Sequence, residues 1–239
     1  MPNPTAAMLV IGDEILSGRT RDSNLHHLAR ELSGAGIDLR EARVVGDRHR
    51  AIVLALRALS VTHDHVFTSG GIGPTHDDIT ADAVAEAMGV AISHNPEALA
   101  RLEVHYRQQG RPFNEARRRM ARIPDGATLI DNPISAAPGF TIGNVHVLAG
   151  VPTIFEAMLA SVLPLLTGGT PLLSQTLQVN RGEGEVAEAF GRLAAEFPDL
   201  SMGSYPFAHQ GAIGTNLVIR GTDRARLAEA MMRLTRLFG

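Results

Sequence analysis

The chain has 239 residues, 44% of them apolar and 20% charged, and a formal net charge of −3. Cys, Trp and Lys are missing, so all 22 basic residues are Arg. Those absences exclude disulfides, thiolate nucleophiles, Cys-type metal centres, Schiff bases and a Walker-type phosphate lysine, and leave Arg, backbone N–H groups, helix N-termini or a metal to hold an anion.

Ala7 to Gly12 is an apolar run ending in Gly and is read as a buried strand. Asp22 or Ser23 then caps a helix with Leu25, Leu28, Ala29 and Leu32 on one face, stopped by Gly34 and Gly36. Leu39 to Val45 is a strand, Arg50 to Leu59 a helix, His65 to Ser69 a strand and Thr80 to Met88 a helix closed by Gly89. This alternation predicts a three-layer α/β/α domain with a mostly parallel sheet. Pro96 to Gln109 and Asn114 to Ile123 read as helices, Thr128–Ile130, Phe140–Ile142 and Val145–Leu148 as short strands, and Ile154 to Leu166 as the closing helix. The turn-rich stretch Thr167 to Pro171 is the expected boundary, giving domains 1–168 and 169–239. The second domain reads β-α-β-β-α: Leu173–Val179, Glu185–Glu196, Ser201–Tyr205, Asn216–Arg220 and Asp223–Phe238. This small α+β unit is read as a packing or dimerising module, so a homo-oligomer is expected. Its string Gly211-Ala212-Ile213-Gly214 lies between strands, whereas the G-x-x-G loop of RNA-binding KH domains lies between helices.

The acidic balance opposes general nucleic-acid binding. No apolar run approaches a membrane span, and the first residues lack the layout of a signal peptide, so a cytoplasmic protein free of membranes is expected.

In an open parallel sheet, ligands sit beyond the carboxyl ends of the strands. Those ends here are Gly12-Asp13-Glu14, Gly46-Asp47, the loop from Ser69 through Gly70, Gly71, Gly73, Pro74, Thr75 and His76 to Asp77 and Asp78, and Ala149-Gly150-Val151-Pro152. The glycine loop lets backbone N–H groups approach an anion, and the following helix offers its positive end. Asp77, Asp78 or Thr80 alternatively caps that helix. A carboxylate repels phosphate, a conflict that a divalent cation resolves by bridging the two. Asp47, Asp77 and Asp78 are therefore the catalytic candidates, with Asp13 and Glu14 second. His49 and His76 fall on the ligand edge, whereas His63 and His65 start the third strand and read as surface or edge residues. Arg111, Arg117, Arg118, Arg119 and Arg122 form either a solvated basic face or a polyphosphate clamp.

These strings resemble the molybdopterin-binding (MoaB/Mog-like) domain, in the form found in the competence/damage-inducible CinA family and in the front domain of eukaryotic FAD synthases. The matching residues are Gly12 to Gly18 with Asp22-Ser23-Asn24, Gly46-Asp47, Thr68 to Thr80, Asn132-Pro133 with Ala137 to Phe140, and Leu148 to Pro152. The resemblance covers about residues 6–166, and the trailing unit with Ser204-Tyr205-Pro206 is similar to the segment that follows in CinA-type chains. The deamidase domain of many such chains and the adenylyl-transferring domain of FAD synthases are not expected here.

The resemblance implies a pocket for molybdopterin or a nucleotide, built from Gly12, Asp13, Glu14, Asn24, Ser69, Gly70, Gly71, Gly73, Pro74, Thr75, Pro138, Gly139, Gly150 and Pro152. It implies Mg²⁺ or another divalent metal on Asp47 and Asp78. In molybdopterin adenylyltransferases the matching aspartates serve adenylyl transfer; in CinA-like and FAD-synthase relatives the site is associated with hydrolysis of nucleotide pyrophosphates such as ADP-ribose or FAD. Asp77 stands where adenylyltransferases tend to have Arg, which favours the CinA-like branch, and Ser135 stands where CinA chains usually have Gly. Three functions follow: a metal-dependent nucleotide pyrophosphatase; a non-catalytic molybdopterin or nucleotide binder, or an adenylyltransferase-like role in cofactor biosynthesis; and a scaffold with a vestigial site. The partner in the first two is a small nucleotide or pterin phosphate.

Overall fold

The structure is a computed structural model that describes residues 2–209 and 212–239. The chain divides into units Met1–Gly169 and Thr170–Gly239. Gly211 of the G-x-x-G string lies outside the described residues.

In chain order the first unit comprises β1 (Thr5–Ile11), α1 (Asp13–Leu16), α2 (Asn24–Gly34), β2 (Asp38–Val45), α3 (His49–Thr62), β3 (His65–Ser69), α4 (Thr80–Met88), β4 (Ile92–His94), α5 (Pro96–Gln108), α6 (Glu115–Arg118), β5 (Arg122–Pro124), β6 (Thr128–Ile130), β7 (Gly139–Ile142), β8 (Val145–Leu148) and α7 (Pro152–Val162). A six-stranded sheet runs β2-β1-β3-β8-β7-β6. The pairs β1–β2, β1–β3 and β3–β8 are parallel, and β7 is antiparallel to both neighbours. The expected three-layer class with a mostly parallel sheet is thus observed.

Apolar β1 and β3 are buried on both faces because helices cover both. Leu9, Val66 and Val147 face Ile52, Leu56 and Val84 of α3 and α4. Met8, Val10 and Phe67 face Leu28 and Leu32 of α2 and Phe155 and Leu159 of α7. Gly89 ends α4 in the left-handed conformation, φ 71°. Each crossover helix returns the chain to the same edge, so β1, β2, β3 and β8 deliver their last residues together.

Two expected elements differ. The helix expected over Asn114–Ile123 is the single turn α6, a 3-10 turn Arg119–Ala121, and then β5, antiparallel to β4. Pro124 pushes Ile123 towards extended backbone, and burial of Ile123 holds it there. The closing helix ends at Val162, before a 3-10 turn that accommodates Pro164.

The second unit has the expected β-α-β-β-α order: β9 (Leu173–Val179), α8 (Glu183–Glu196), β10 (Ser201–His209), β11 (Ala212–Gly221) and α9 (Arg224–Phe238). Its antiparallel sheet runs β10-β11-β9, and both helices pack on it through Val186, Phe190, Leu193, Leu227 and Leu234. Asp223 caps α9 by accepting from the N–H groups of Ala225 (2.8 Å) and Arg226 (3.1 Å).

His65 begins β3, as expected, and is half-buried. On β3 its Nδ1 lies 3.2 Å from Nε2 of His146 on β8, whose Nδ1 lies 3.0 Å from the Thr141 hydroxyl. His146 is 3% exposed. Burial, then the neighbouring His65 charge, lowers its pKa from 6.5 to about 4. The unfolded chain therefore binds this proton more readily than the folded one. Stability is complete above pH 6.5 and is lost as pH falls towards about 4, by roughly 3 kcal/mol from this group. Urea midpoints at pH 7.5, 6 and 5 should drop across that window, and His146→Gln should shrink the drop; an equal drop in both proteins contradicts the assignment.

Candidate functional site

Three loops meet beyond the carboxyl edge, and a buried side chain ties two of them to α2. Asn24, the first residue of α2 and 3% exposed, donates from Nδ2 to Ser69 Oγ (2.7 Å) and to the Gly150 carbonyl (2.8 Å). Asn24 and Ser69, both expected to face a ligand, instead spend these groups on each other. The Asn24 Oδ1 is buried without a hydrogen-bond partner. Gly150 approaches Gly70 so closely that a Cβ on it would lie 3.2 Å from the Gly70 Cα.

The glycine loop is built by backbone geometry. Gly70 and Gly71 have φ 104° and 69°, conformations open to Gly at little cost. A Cβ on Gly70 would collide with the Ile11 carbonyl, so no larger residue passes β1 here. Thr80, fully buried, donates from Oγ1 to the Gly70 carbonyl (3.0 Å) and from its N–H to the Gly71 carbonyl (3.0 Å). With those carbonyls satisfied, the loop is clamped onto the start of α4. Neither Asp77 nor Asp78 caps that helix, which begins after Ile79 with no side-chain cap bond. Thr80 works on the loop, a role the sequence reading did not give it.

The carboxylates are engaged differently. Asp47 Oδ2 accepts from the Asp13 N–H at 2.8 Å, so the β1 and β2 ends are tied together. Burial raises the pKa of Asp47; the Asp13 hydrogen bond opposes this, and the charges of Glu14, Asp13 and Asp77 push it up further. The charges of Asp13, Glu14 and Asp77 thus all act on Asp47. Asp77 is itself held below the usual carboxylate range by the Thr75 hydroxyl and its own backbone N–H. Asp78 is engaged within its own turn: its Oδ2 accepts from the Thr75 N–H (2.7 Å) and hydroxyl (2.5 Å). Among the described residues, no three His, Asp or Glu side chains converge as a ready-made metal cage.

Other expected residues also divide. Gly71, Gly73, Asp78 and Pro138 line a narrow cleft of ≈ 20 Å³, room for about one water. Pro74, Thr75 and the fully exposed His76 line an open groove of ≈ 390 Å³ with Arg119 and Arg122. His49 turns away to Glu86 (2.7 Å). Gly139 is buried, and a Cβ there would strike the Val147 carbonyl and the Met158 methyl, so packing against β8 and α7 explains it. Pro152 opens α7, where its missing N–H costs nothing. Ser135, in place of Gly, accepts from Asn132 Nδ2 at 2.7 Å in a turn whose Ala136 has φ 59°.

The basic segment splits in the same way. Arg117 stacks over Tyr106 at 4.2 Å, and Arg118 pairs with Glu115 at 3.5 Å. Arg119 donates to the Asp78 carbonyl at 3.1 Å. Arg122 grips Asp82 with two bonds of 2.9 and 2.5 Å. Asp82 was invisible as a site residue in the sequence because it reads as an ordinary acidic residue in a helix's first turn.

This combination of a mostly parallel sheet, a glycine loop clamped to a helix start and carboxylates acting on Asp47 defines an α/β protein with an acidic carboxyl edge. Residues 7–168 match the family described as "Probable molybdopterin binding domain", and the chain belongs to that family. Residues 171–239 match "FAD synthase, middle domain". A CinA-like protein of Citrifermentans bemidjiense is 41% identical over 68% of this chain and 40% of its own length. A CinA-like protein of Geobacter sp. strain M21 is 33% identical over 98% of this chain and 58% of its own, and a probable FAD synthase of Caenorhabditis elegans 32% over 95% and 48%. The chain spans about half the length of these curated relatives. A crystal structure of the protein CinA, with unknown function, from Thermoplasma acidophilum superposes with TM-score 0.61 at 34% identity, covering 66% of this chain and 95% of that one. Among the described residues no helix is long and apolar enough to cross a membrane.

Removing the Asn24 amide strands the Gly150 carbonyl and the Ser69 hydroxyl in a buried place. Asn24→Ala should cost about 1–3 kcal/mol and perturb the amides of residues 70–73 and 149–151 together in a ¹H–¹⁵N spectrum. Changes confined to α2 would contradict the bridging role.

Proposed function

We propose that the first unit binds a nucleotide or pterin phosphate at the glycine loop and hydrolyses a nucleotide pyrophosphate of the ADP-ribose or FAD type with a divalent metal. The observation that carries this reading is Asp47, its pKa raised by burial and by the charges of Glu14, Asp13 and Asp77, beside a glycine loop open to close backbone approach. A partly buried carboxylate with acidic neighbours is stabilised by a cation, and an anion beside it needs one. Asp47, with Asp77 and Asp78, offers such a cation negative charge and hard oxygen donors. A bound divalent ion would supply charge neutralisation and polarisation of the phosphoryl group.

This chain's own residues do the rest. The loop amides hold the phosphoryl oxygens and stabilise the charge that grows on them. Asp47, its pKa raised, is suited to take the proton of an attacking water. Water adds to one phosphorus, the bridging P–O bond breaks, and two phosphate monoesters leave, one of them AMP.

A second reading, binding without turnover, is favoured by the state of Asp78, whose Oδ2 is committed to Thr75. Purified chain incubated with ADP-ribose or FAD and Mg²⁺, Mn²⁺ or Co²⁺ separates the two by chromatography. AMP release supports hydrolysis, and Asp47→Asn or Asp78→Asn should lower it about 10²-fold or more with the melting temperature preserved. No AMP from any pair, together with calorimetric binding of a pterin or nucleotide, supports the second reading.

A further inference from the structure

Arg119 is the guanidinium that the protein leaves incompletely engaged beside the glycine loop. Its Nη2 donates to the Asp78 carbonyl at 3.1 Å. The neighbouring carboxylate Asp82 is 4.0 Å away and already carries the two bonds from Arg122. The Arg119 Nε is buried with no hydrogen-bond partner. A buried donor without an acceptor is costly. Arg117 and Arg118 show the contrast, since Tyr106, Glu115 and the Pro112 carbonyl occupy them.

Arg119 also lines both openings at this loop: the narrow cleft with Gly71 and Gly73, and the ≈ 390 Å³ groove with Thr75 and His76. In a chain without Lys, positive charge at the loop comes from this segment. Asp13, Glu14 and Asp47 belong to the β1 and β2 ends, whereas Arg119 meets the loop at the Asp78 carbonyl, after Asp77. A ligand with two linked phosphates can meet both features.

Resting on the function proposed above, we infer that Arg119 is a substrate-binding residue that takes phosphoryl oxygens of the ligand, so the site selects a pyrophosphate diester over an uncharged nucleoside. Its planar fork donates to two oxygens at once, and its existing bond to Asp78 aims it at the loop.

Calorimetric titration of the whole chain with ADP-ribose and with adenosine, in Mg²⁺, tests this. Arg119→Gln should weaken ADP-ribose about 10- to 100-fold and leave adenosine unchanged. Arg119→Lys, which keeps charge but loses the fork, should fall between, and Arg118→Gln should bind as the native chain does. Unchanged ADP-ribose affinity in Arg119→Gln overturns the inference alone. Equal losses for ADP-ribose and adenosine overturn it too, since Arg119 then only orders the loop. A native chain that binds neither ligand overturns the proposed function and this inference with it.

Discussion

The Asn24 carboxamide donates to Ser69 and to Gly150, and the carboxyl edge of the first unit is organised around those two bonds. They join α2, the end of β3 and the end of β8, segments separated by 45 and 126 residues in the chain. Parallel strands bring these ends to one edge but do not set how their loops face each other. A buried amide does, because both of its N–H groups must find acceptors at fixed angles. Once Gly150 and Ser69 are held, Gly70 passes against Ile11, and Thr80 clamps the loop from the other side. The glycine loop is therefore shaped before any ligand arrives, which lowers the ordering cost of binding.

Charge is arranged around that rigid loop. Burial raises the pKa of Asp47, and the charges of Glu14, Asp13 and Asp77 raise it further. The segment after α5 brings Arg119 and Arg122, with Asp82 absorbing one of the two charges. An acidic and a basic neighbourhood on one loop suit a ligand that is anionic and accompanied by a cation. The missing Lys sharpens this division, since Arg alone supplies the positive side and does so through fixed, planar contacts.

Much of this was legible in the sequence, for reasons that can be named. Ala7–Gly12 and His65–Ser69 read as strands because short apolar stretches leading into Gly suit a buried parallel sheet, and the strand-end rule then pointed to Asp47 and to Asp13, Glu14 and Asp77, whose charges act on it. What failed depended on partners distant in sequence. Helical spacing over 114–123 was outweighed by Pro124 and by pairing with Ile92–His94. Asn24, Ser69 and Gly139 read as ligand contacts because they stand near the edge, yet each is consumed by packing or by another protein group. The tie of Asp78 to Thr75 was not visible either. The His65–His146 contact requires the β3–β8 register, which spacing along one strand cannot reveal.

The central claim is that the carboxyl edge, and the group around Asp47 in particular, is where a cation meets the chain. Paramagnetic broadening of backbone amides by Mn²⁺, read in ¹H–¹⁵N spectra, addresses it directly. Substoichiometric Mn²⁺ should broaden residues 12–14, 46–47 and 70–78 first, and Asp47→Asn should abolish that pattern. Broadening centred elsewhere, such as at Asp64 or along α8, or a pattern indifferent to Asp47→Asn, would contradict the account.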